Sequence, residues 1–108
     1  MAPILFIHSG KNEGKEFQIQ EGSNLVGRWD PDTGSFPEID LDDEDVDAKI
    51  SRKHAIVRKE GDSLTIRDIG SLNGTFLNRG ERLEEGKDYP LKDGDEIVIG
   101  KLYLRLKL

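Results

Sequence analysis

The sequence has no cysteine, and only two of its 108 residues are histidine. Without cysteine there is no disulfide framework and no thiolate metal site, and the two histidines remain as the only soft ligands. This composition suits a reducing compartment. We expect a chain that holds no metal ion and needs no cofactor.

Long hydrophobic runs are also missing. The opening apolar run, residues 3–7, is too short for the core of a signal peptide, and no basic segment precedes it. No later run approaches the length of a membrane span. We therefore expect a soluble, cytoplasmic protein that has no membrane partner.

A surplus of basic residues is absent as well. The chain has 16 Lys and Arg against 22 Asp and Glu, which gives a net charge of -6. Such a chain repels a polyanion unless its positive residues gather on one face. Nucleic acid is therefore not an expected partner.

What the chain does contain is a series of short apolar or alternating runs separated by Gly, Asn, Asp and Pro, a pattern typical of antiparallel strands. Helix has little support. About ten strands in a chain of this length favour a β-sandwich. The predicted strands are Ile4–Ile7, Glu16–Ile19, Asn24–Gly27, Glu38–Leu41, His54–Lys59, Leu64–Asp68, Thr75–Leu77, Asp88–Leu91, Glu96–Ile99 and Leu102–Leu106.

Two details of this pattern are specific. The leucines of the last strand fall on one face, which must be core. Residues 60–62 and 92–95 combine Gly with Asp, residues that tolerate a positive φ, so both segments are predicted to be hairpin turns between neighbouring strands.

The chain is long enough for one domain with one core and too short for a catalytic domain plus a regulatory one. It shows no internal repeat and no Ser-rich or Pro-rich linker. We expect a single domain, residues 1–108, that is monomeric in isolation. A longer parent protein remains compatible with this prediction.

One segment differs in composition from the rest. Residues 29–49 contain a Pro, Gly and Asp-rich loop followed by the acidic run Asp42–Asp47. Most acidic runs are solvated, and that interpretation is preferred here. A calcium site is the alternative, but the run lacks the central Gly and the closing Glu of an EF-hand loop.

Three loop segments carry the residue types of an oxyanion site: Gly27-Arg28, then residues 50–55 (Ile-Ser-Arg-Lys-His-Ala), then residues 68–75 (Asp-Ile-Gly-Ser-Leu-Asn-Gly-Thr). A phosphate monoester carries about -1.5 to -2 charges at neutral pH and has three acceptor oxygens. An arginine fork, a hydroxyl and loop amides are the donors that suit it.

The order Gly-Arg, Ser-Arg-x-His, Gly-Ser-x-Asn-Gly-Thr and Asp-Gly-Asp-x-Ile-x-Ile-Gly, which spans residues 27–100, resembles the forkhead-associated (FHA) domain family. Four ordered motifs at strand-like separations are a specific match. The resemblance implies an all-β, FHA-type β-sandwich of about eleven mostly antiparallel strands. Loops at one end would bind phosphothreonine in a partner protein or peptide.

The resemblance also implies roles for residues that match the motifs. Arg28, Ser51 and Arg52 match the phosphate-binding positions. Asn73 matches the residue that binds the peptide backbone, which an amide with both donor and acceptor functions can do. Gly27, His54 and Gly74 match supporting positions.

The chain departs from the family pattern before Asn73, where many members have Thr or Ser and this chain has Leu72. One phosphate donor is then missing, and Lys53 and Ser71 are the auxiliary candidates to replace it. The acidic character of residues 29–49 is a second departure, which we expect to disfavour acidic residues beside the phosphothreonine.

Parts of the sequence are compatible with two other functions. Ser51, His54 and Asp68 have the residue types of a hydrolytic triad, but there is no Gly-x-Ser-x-Gly elbow and the spacing does not orient a base toward a nucleophile. An enzyme is therefore not expected. The remaining alternative is a protein-interaction scaffold that binds without phosphate, through the sheet edges or the acidic loop, and Leu72 favours it.

Overall fold

The computed structural model describes residues 3–108, so the first two residues of the predicted domain lie outside the description. It contains ten strands: β1 (Ile4–Ile7), β2 (Glu16–Gln18), β3 (Gly22–Gly27), β4 (Ile39–Asp40), β5 (Lys53–Glu60), β6 (Ser63–Asp68), β7 (Thr75–Leu77), β8 (Asp88–Pro90), β9 (Glu96–Ile99) and β10 (Leu102–Lys107). Two short 3-10 helices, Pro31–Thr33 and Asp42–Glu44, interrupt the loops on either side of β4. The predicted all-β fold is confirmed.

The strands form two five-stranded sheets, in the orders β2-β1-β10-β9-β7 and β4-β3-β5-β6-β8. All pairs are antiparallel except β3 with β4, which is parallel. The four strands at the sheet edges have only two or three residues each. The long strands are therefore all central.

The core lies between the two sheets, where inward residues of both form one apolar cluster. Leu104 and Leu106 of β10 are buried there, as the alternation of the last strand predicts. Each such side chain contributes about 1.5 to 3 kcal/mol when it leaves water. Other members of the cluster include Leu5, Ile7, Val26, Ile39, Val57, Ile66, Ile97 and Ile99.

One predicted turn is confirmed and the other is wrong in what it connects. Gly61, with φ +61°, turns the chain between the paired strands β5 and β6. Residues 92–95 also turn the chain, and Asp95 accepts from the Lys92 amide at 2.8 Å. However, β8 and β9 lie in different sheets, so this turn is a crossover between the layers.

Strand register brings the loops of interest to one end of the sandwich. Gly27 at the end of β3 pairs with Lys53 at the start of β5, and Ala55 of β5 pairs with Asp68 at the end of β6. The segments that follow Gly27, precede Lys53 and follow Asp68 are therefore neighbours. These are the three segments that the sequence singled out.

The approach of β3 to β5 is close enough to require a glycine. The register shifts between Val26 and Gly27, and a Cβ at Gly27 would overlap the carbonyl oxygen of Arg52. Because no side chain intervenes, the Arg28 amide donates to that same carbonyl at 3.0 Å. The irregularity thus fixes where the Arg28 side chain begins.

Candidate functional site

A cleft of about 250 Å³ lies at this end of the sandwich. It contains all four side chains that the sequence predicted to contact phosphate or peptide. Its lining residues are Arg28, Ala48, Lys49, Ile50, Ser51, Arg52, Leu72 and Asn73.

Arg28 is partly buried at the base of the cleft, with 28% of its side chain exposed. Its Nε donates to the Ile50 carbonyl at 2.6 Å. Its other neighbours are carboxylates, Asp45 at 3.6 Å from Nε and Asp42 at 3.8 Å from Nη1. No hydrogen bond within residues 3–108 occupies the two Nη groups, so four N–H donors are available to an anion.

Ser51 presents a hydroxyl whose acceptor side is already in use. Its Oγ accepts from the Leu72 amide at 3.1 Å, which ties the two loops of the cleft together. Since a hydroxyl also carries one donor hydrogen, Ser51 retains the function that a phosphate oxygen needs.

Arg52 lies at the rim, with 54% of its side chain exposed. Its Nε pairs with the Asp30 carboxylate at 2.5 Å, and its carbonyl accepts from the Ser35 hydroxyl at 2.8 Å. The guanidinium is thus oriented by the loop that follows Arg28.

Asn73 joins the two sides of the cleft. Its Nδ2 donates to the Lys49 carbonyl at 3.0 Å. Its Oδ1 has no hydrogen-bond partner in the described part of the chain. The amide is therefore held by its donor and presents its acceptor outward, which suits it to receive a peptide N–H.

His54 is fully buried below the cleft and uses both ring nitrogens. The Ser51 amide donates to Nδ1 at 3.0 Å, so Nδ1 is unprotonated, and Nε2 donates to the Gly74 carbonyl at 2.9 Å. Burial lowers the pKa of His54, which keeps the ring neutral at pH 7. The ring bonds to the Ser51 backbone and not to its hydroxyl. In a catalytic pair, the base would bond to the hydroxyl of the nucleophile.

Residues 68–75, which we call the Asp68 loop, are held by one buried carboxylate. Asp68 accepts from the Gly70 and Ser71 amides at 2.8 and 3.0 Å, and from the Ser71 and Thr75 hydroxyls. Burial raises the pKa of Asp68, but these hydrogen bonds outweigh it and the pKa is lowered. Gly74 closes the loop at φ +92°.

The auxiliary candidates do not enter the cleft. The Ser71 hydroxyl is buried, donates to Asp68 and accepts from the Gly74 amide at 3.0 Å, so it is unavailable as a replacement phosphate donor. Lys53 is exposed on β5 outside the cleft lining. Leu72 lines the cleft with 80% of its surface exposed, and its backbone amide is already bonded to the Ser51 hydroxyl.

Residues 42–50, which we call the Asp45 loop, contain a structural carboxylate that the sequence analysis missed. Asp45 accepts from the Lys49 and Ile50 amides at 2.7 and 3.0 Å, and only 4% of its side chain is exposed. Glu44 is also buried and bonds to Asn12 and Lys15. The acidic run is therefore not simply solvated. The sequence of the run does not indicate which of its carboxylates are buried.

Residues 3–108 contain no group of three His, Cys, Asp or Glu placed to hold a metal ion. Within the same residues, no helix has the length and apolar character needed to cross a membrane.

A model of the FHA domain family matches residues 24–100, which include every motif of the cleft. The chain is 39% identical to the oxoglutarate dehydrogenase inhibitor of Corynebacterium jeikeium, over 94% of this chain and 61% of that protein. It is 38% identical to the glycogen accumulation regulator GarA of Mycolicibacterium smegmatis, over 94% of this chain and 56% of that protein. The chain thus spans less than two thirds of the length of these relatives.

Solved structures are also similar to the chain. The FHA domain of FhaA, determined in complex with the intracellular domain of Rv3910, superposes with a TM-score of 0.78 at 28% identity and covers 98% of this chain and 100% of that one. Mycobacterium tuberculosis EmbR in complex with a low-affinity phosphopeptide superposes with a TM-score of 0.77 at 25% identity, covering 98% of this chain and 24% of that one.

Proposed function

The chain belongs to the FHA domain family, and from that premise we propose that it binds phosphothreonine in partner proteins and so mediates phosphorylation-dependent protein interaction. Arg28, Ser51 and Arg52 hold the phosphate in this proposal, and Asn73 holds the peptide backbone. Its support among similar structures is that the FhaA FHA domain was solved in complex with a partner domain, and EmbR in complex with a phosphopeptide.

The observation that carries the proposal is the state of the donors in the cleft. The Nε of Arg28 and the acceptor of the Ser51 hydroxyl are engaged. Within residues 3–108, the two Nη groups of Arg28 form no hydrogen bond and the Ser51 hydroxyl donates none. The groups are held in position by bonds that leave phosphate-binding functions open. Such preorganisation lowers the cost of ordering side chains when the ligand docks.

The ligand preferences follow from the same donors. A planar carboxylate with one charge cannot engage all of them, so Asp or Glu is a poor substitute for phosphothreonine. A short peptide loses freedom on docking, and we expect micromolar affinity, about -8 kcal/mol. Threonine gains about 0.8 kcal/mol over serine where its methyl is buried, which gives a few-fold preference.

The proposal extends to the properties that accompany this function. The domain is a non-catalytic, monomeric binding unit that works in the cytoplasm, where kinases add phosphate to proteins and phosphatases remove it. The position of His54 supports a non-catalytic role, because its Nδ1 is occupied by the Ser51 amide. The partner and the response belong to the longer proteins in which such domains occur.

The proposal is tested by calorimetric titration with three degenerate peptide pools that differ only at one fixed residue: phosphothreonine, phosphoserine or unmodified threonine. Trp29, the single tryptophan and the neighbour of Arg28, gives a parallel fluorescence signal. Saturable binding to the phosphothreonine pool, weaker binding to phosphoserine and none to threonine is expected. Equal binding to phosphorylated and unmodified pools would favour a phosphate-independent scaffold.

Leu72 offers a sharper version of this test. A Leu72→Thr variant adds a hydroxyl at the position where the family pattern has one, and the exposure of Leu72 leaves room for the change. We expect it to bind the phosphothreonine pool about tenfold more tightly, since one charge-assisted hydrogen bond contributes about 1.5 kcal/mol. Leu72→Val, which has the same branched shape without the hydroxyl, is the matched control.

A further inference from the structure

Two aromatic side chains are exposed beside the cleft. Trp29 is 53% exposed and Phe36 is 57% exposed, and their rings meet edge to face at 6.3 Å. Large apolar groups that are exposed together mark an interaction surface more often than isolated ones do. We call this feature the aromatic pair.

The loop that carries the aromatic pair is closed by its own hydrogen bonds. Asp30 and Ser35 exchange both backbone hydrogen bonds at 2.9 Å, and the 3-10 helix Pro31–Thr33 fills the turn between them. The Trp29 amide donates to Asp40 at 3.1 Å. Both ends of the loop are therefore fixed, and the two rings are presented in a preformed arrangement.

The same loop is attached to the phosphate-binding side of the cleft through one residue. Arg52 pairs with Asp30, which follows Trp29, and its carbonyl accepts from Ser35, which precedes Phe36. That carbonyl also accepts from the Arg28 amide. The aromatic pair and the cleft are thus continuous parts of one surface that share Arg52.

The segment that carries the aromatic pair is acidic. Residues 29–47 contain nine Asp and Glu and no Lys or Arg, whereas the rest of the chain holds all 16 basic residues and 13 acidic ones. Asp32 and Asp43 are exposed, and their carboxylates form no hydrogen bond within residues 3–108. Arg52 pairs with Asp30 at one side of this loop, which leaves the exposed carboxylates of Asp32 and Asp43 as the acidic rim that is available to a ligand.

We propose that the aromatic pair is an accessory docking site for the same phosphorylated partner, and that its occupant is a segment with an apolar side chain flanked by Lys or Arg. The apolar side chain covers Trp29 and Phe36, and the basic side chains face the acidic rim and the ring faces. The inference rests on the proposed function, because phosphothreonine in the cleft anchors the segment. It adds a specificity determinant outside the phosphate site.

The inference is tested with three phosphothreonine peptide pools whose flanking positions differ in composition. The first draws on Ser, Gly, Asn and Gln, the second on Phe, Leu, Val, Lys and Arg, and the third on Phe, Leu, Val, Asp and Glu. We expect the wild-type chain to bind the second pool about tenfold more tightly than the first, which corresponds to about 1.4 kcal/mol. The third pool is expected to gain nothing over the first.

Variants separate the aromatic pair from the cleft. Trp29→Ala and Phe36→Ala should each reduce the preference for the second pool to twofold or less, while affinity for the first pool stays within twofold. Leu108→Ala, which truncates a residue 51% exposed at a distant position, is the control and should change neither value. The double variant Asp32→Asn, Asp43→Asn should lower the affinity for the second pool only, and the loss should be largest at low salt.

The outcomes distinguish the two proposals. Phosphate-dependent binding with equal affinity for the first and second pools overturns the docking inference and leaves the proposed function standing. A preference that persists in the Trp29→Ala, Phe36→Ala double variant also overturns it. Failure of all phosphothreonine pools to bind better than their unmodified forms overturns the proposed function and this inference with it. Urea unfolding of each variant verifies that truncation of these exposed rings leaves the fold intact.

Discussion

The two loops that face each other across the cleft are built on different carboxylates. Asp68 satisfies the amides and hydroxyls of its own loop, and within residues 3–108 it forms no salt bridge with a cationic side chain of the cleft. Asp45 satisfies the amides of its loop and also lies 3.6 Å from the Nε of Arg28. One wall is therefore organised independently of any ligand, and the other shares its organising charge with the proposed phosphate-binding arginine.

This difference indicates how the cleft responds to an anion. A bound phosphate competes with the carboxylates of Asp42 and Asp45 for electrostatic interaction with the Arg28 guanidinium. The hydrogen bonds of Asp68 are not affected by this competition. We expect the Asp68 loop to act as a fixed wall and the Asp45 loop to adjust its charge interactions on binding. Four predictions test this contrast, from the largest expected effect to the smallest.

Removal of the Asp68 carboxylate should break the fixed wall. Asp68→Ala leaves four donors unsatisfied in a site that is 2% exposed, and we expect a loss of about 3 to 5 kcal/mol in the free energy of unfolding. Urea denaturation measures it. Asp43→Ala, an exposed carboxylate without such bonds, is the control and should change stability by less than about 0.5 kcal/mol. A loss below 1 kcal/mol for Asp68→Ala would refute the assigned role.

Truncation of Arg28 should separate binding from stability. If the guanidinium forms a desolvated pair with the phosphate, Arg28→Ala lowers the affinity for phosphothreonine peptide by about 2 to 5 kcal/mol. The unfolding free energy should fall by only about 1 kcal/mol, since one hydrogen bond to the Ile50 carbonyl is lost. Arg67→Ala removes the same charge from a pair with Asp88 that is not part of the cleft lining, and should leave the affinity unchanged. Unchanged affinity in Arg28→Ala would remove Arg28 from the site.

His54 touches both walls, and its titration should loosen them together. Its pKa is lowered by burial in the folded state, so below the ordinary value of 6.5 the unfolded chain binds a proton that the folded chain does not. The contribution of neutral His54 to the free energy of unfolding is therefore fully present above pH 6.5. It decreases as the pH falls below 6.5, by up to about 1.4 kcal/mol per pH unit. Urea midpoints at pH 7, 6 and 5 measure the slope.

The control for this titration is His54→Gln, which keeps a donor for the Gly74 carbonyl but has no proton to take up in this range. We expect a lower stability at pH 7 and a flatter pH dependence between 7 and 5. An equally steep dependence in this variant would assign the effect to another group.

The smallest effect should come from the exposed acid beside Arg28. Asp42 lies 3.8 Å from Nη1 with half of its side chain exposed, so it opposes an incoming phosphate only weakly. Asp42→Asn should raise the affinity for phosphothreonine peptide about two- to threefold at low salt, and less at high salt because exposed charges are screened. Weaker binding in this variant would mean that Asp42 orients Arg28 more than it competes with the ligand.

The sequence predicted the fold more completely than it predicted the connections. All ten strands were located, because alternation of apolar and polar residues depends on local pattern and burial alone. The turn at residues 92–95 shows the limit of such reasoning. Its Gly and Asp identify a reversal of the chain, but which sheet receives β9 depends on packing between the layers, which no turn residue encodes.

The candidate site was predicted where the family pattern supplies it and missed where burial decides. Arg28, Ser51, Arg52 and Asn73 line one cleft, as motif order suggested. Asp45 was missed because its importance comes from two amides that reach it only in the folded chain. Ser71 was overrated for the same reason, since its hydroxyl faces Asp68 in the interior.

The short strands at the edges of both sheets have a consequence for how the protein behaves when it is crowded. An edge of two or three residues presents few unpaired backbone groups, so a neighbouring copy has little template on which to add a strand. Copies of the domain that are held close together, for example by a flexible linker, should therefore remain separately folded and should not associate through their sheet edges.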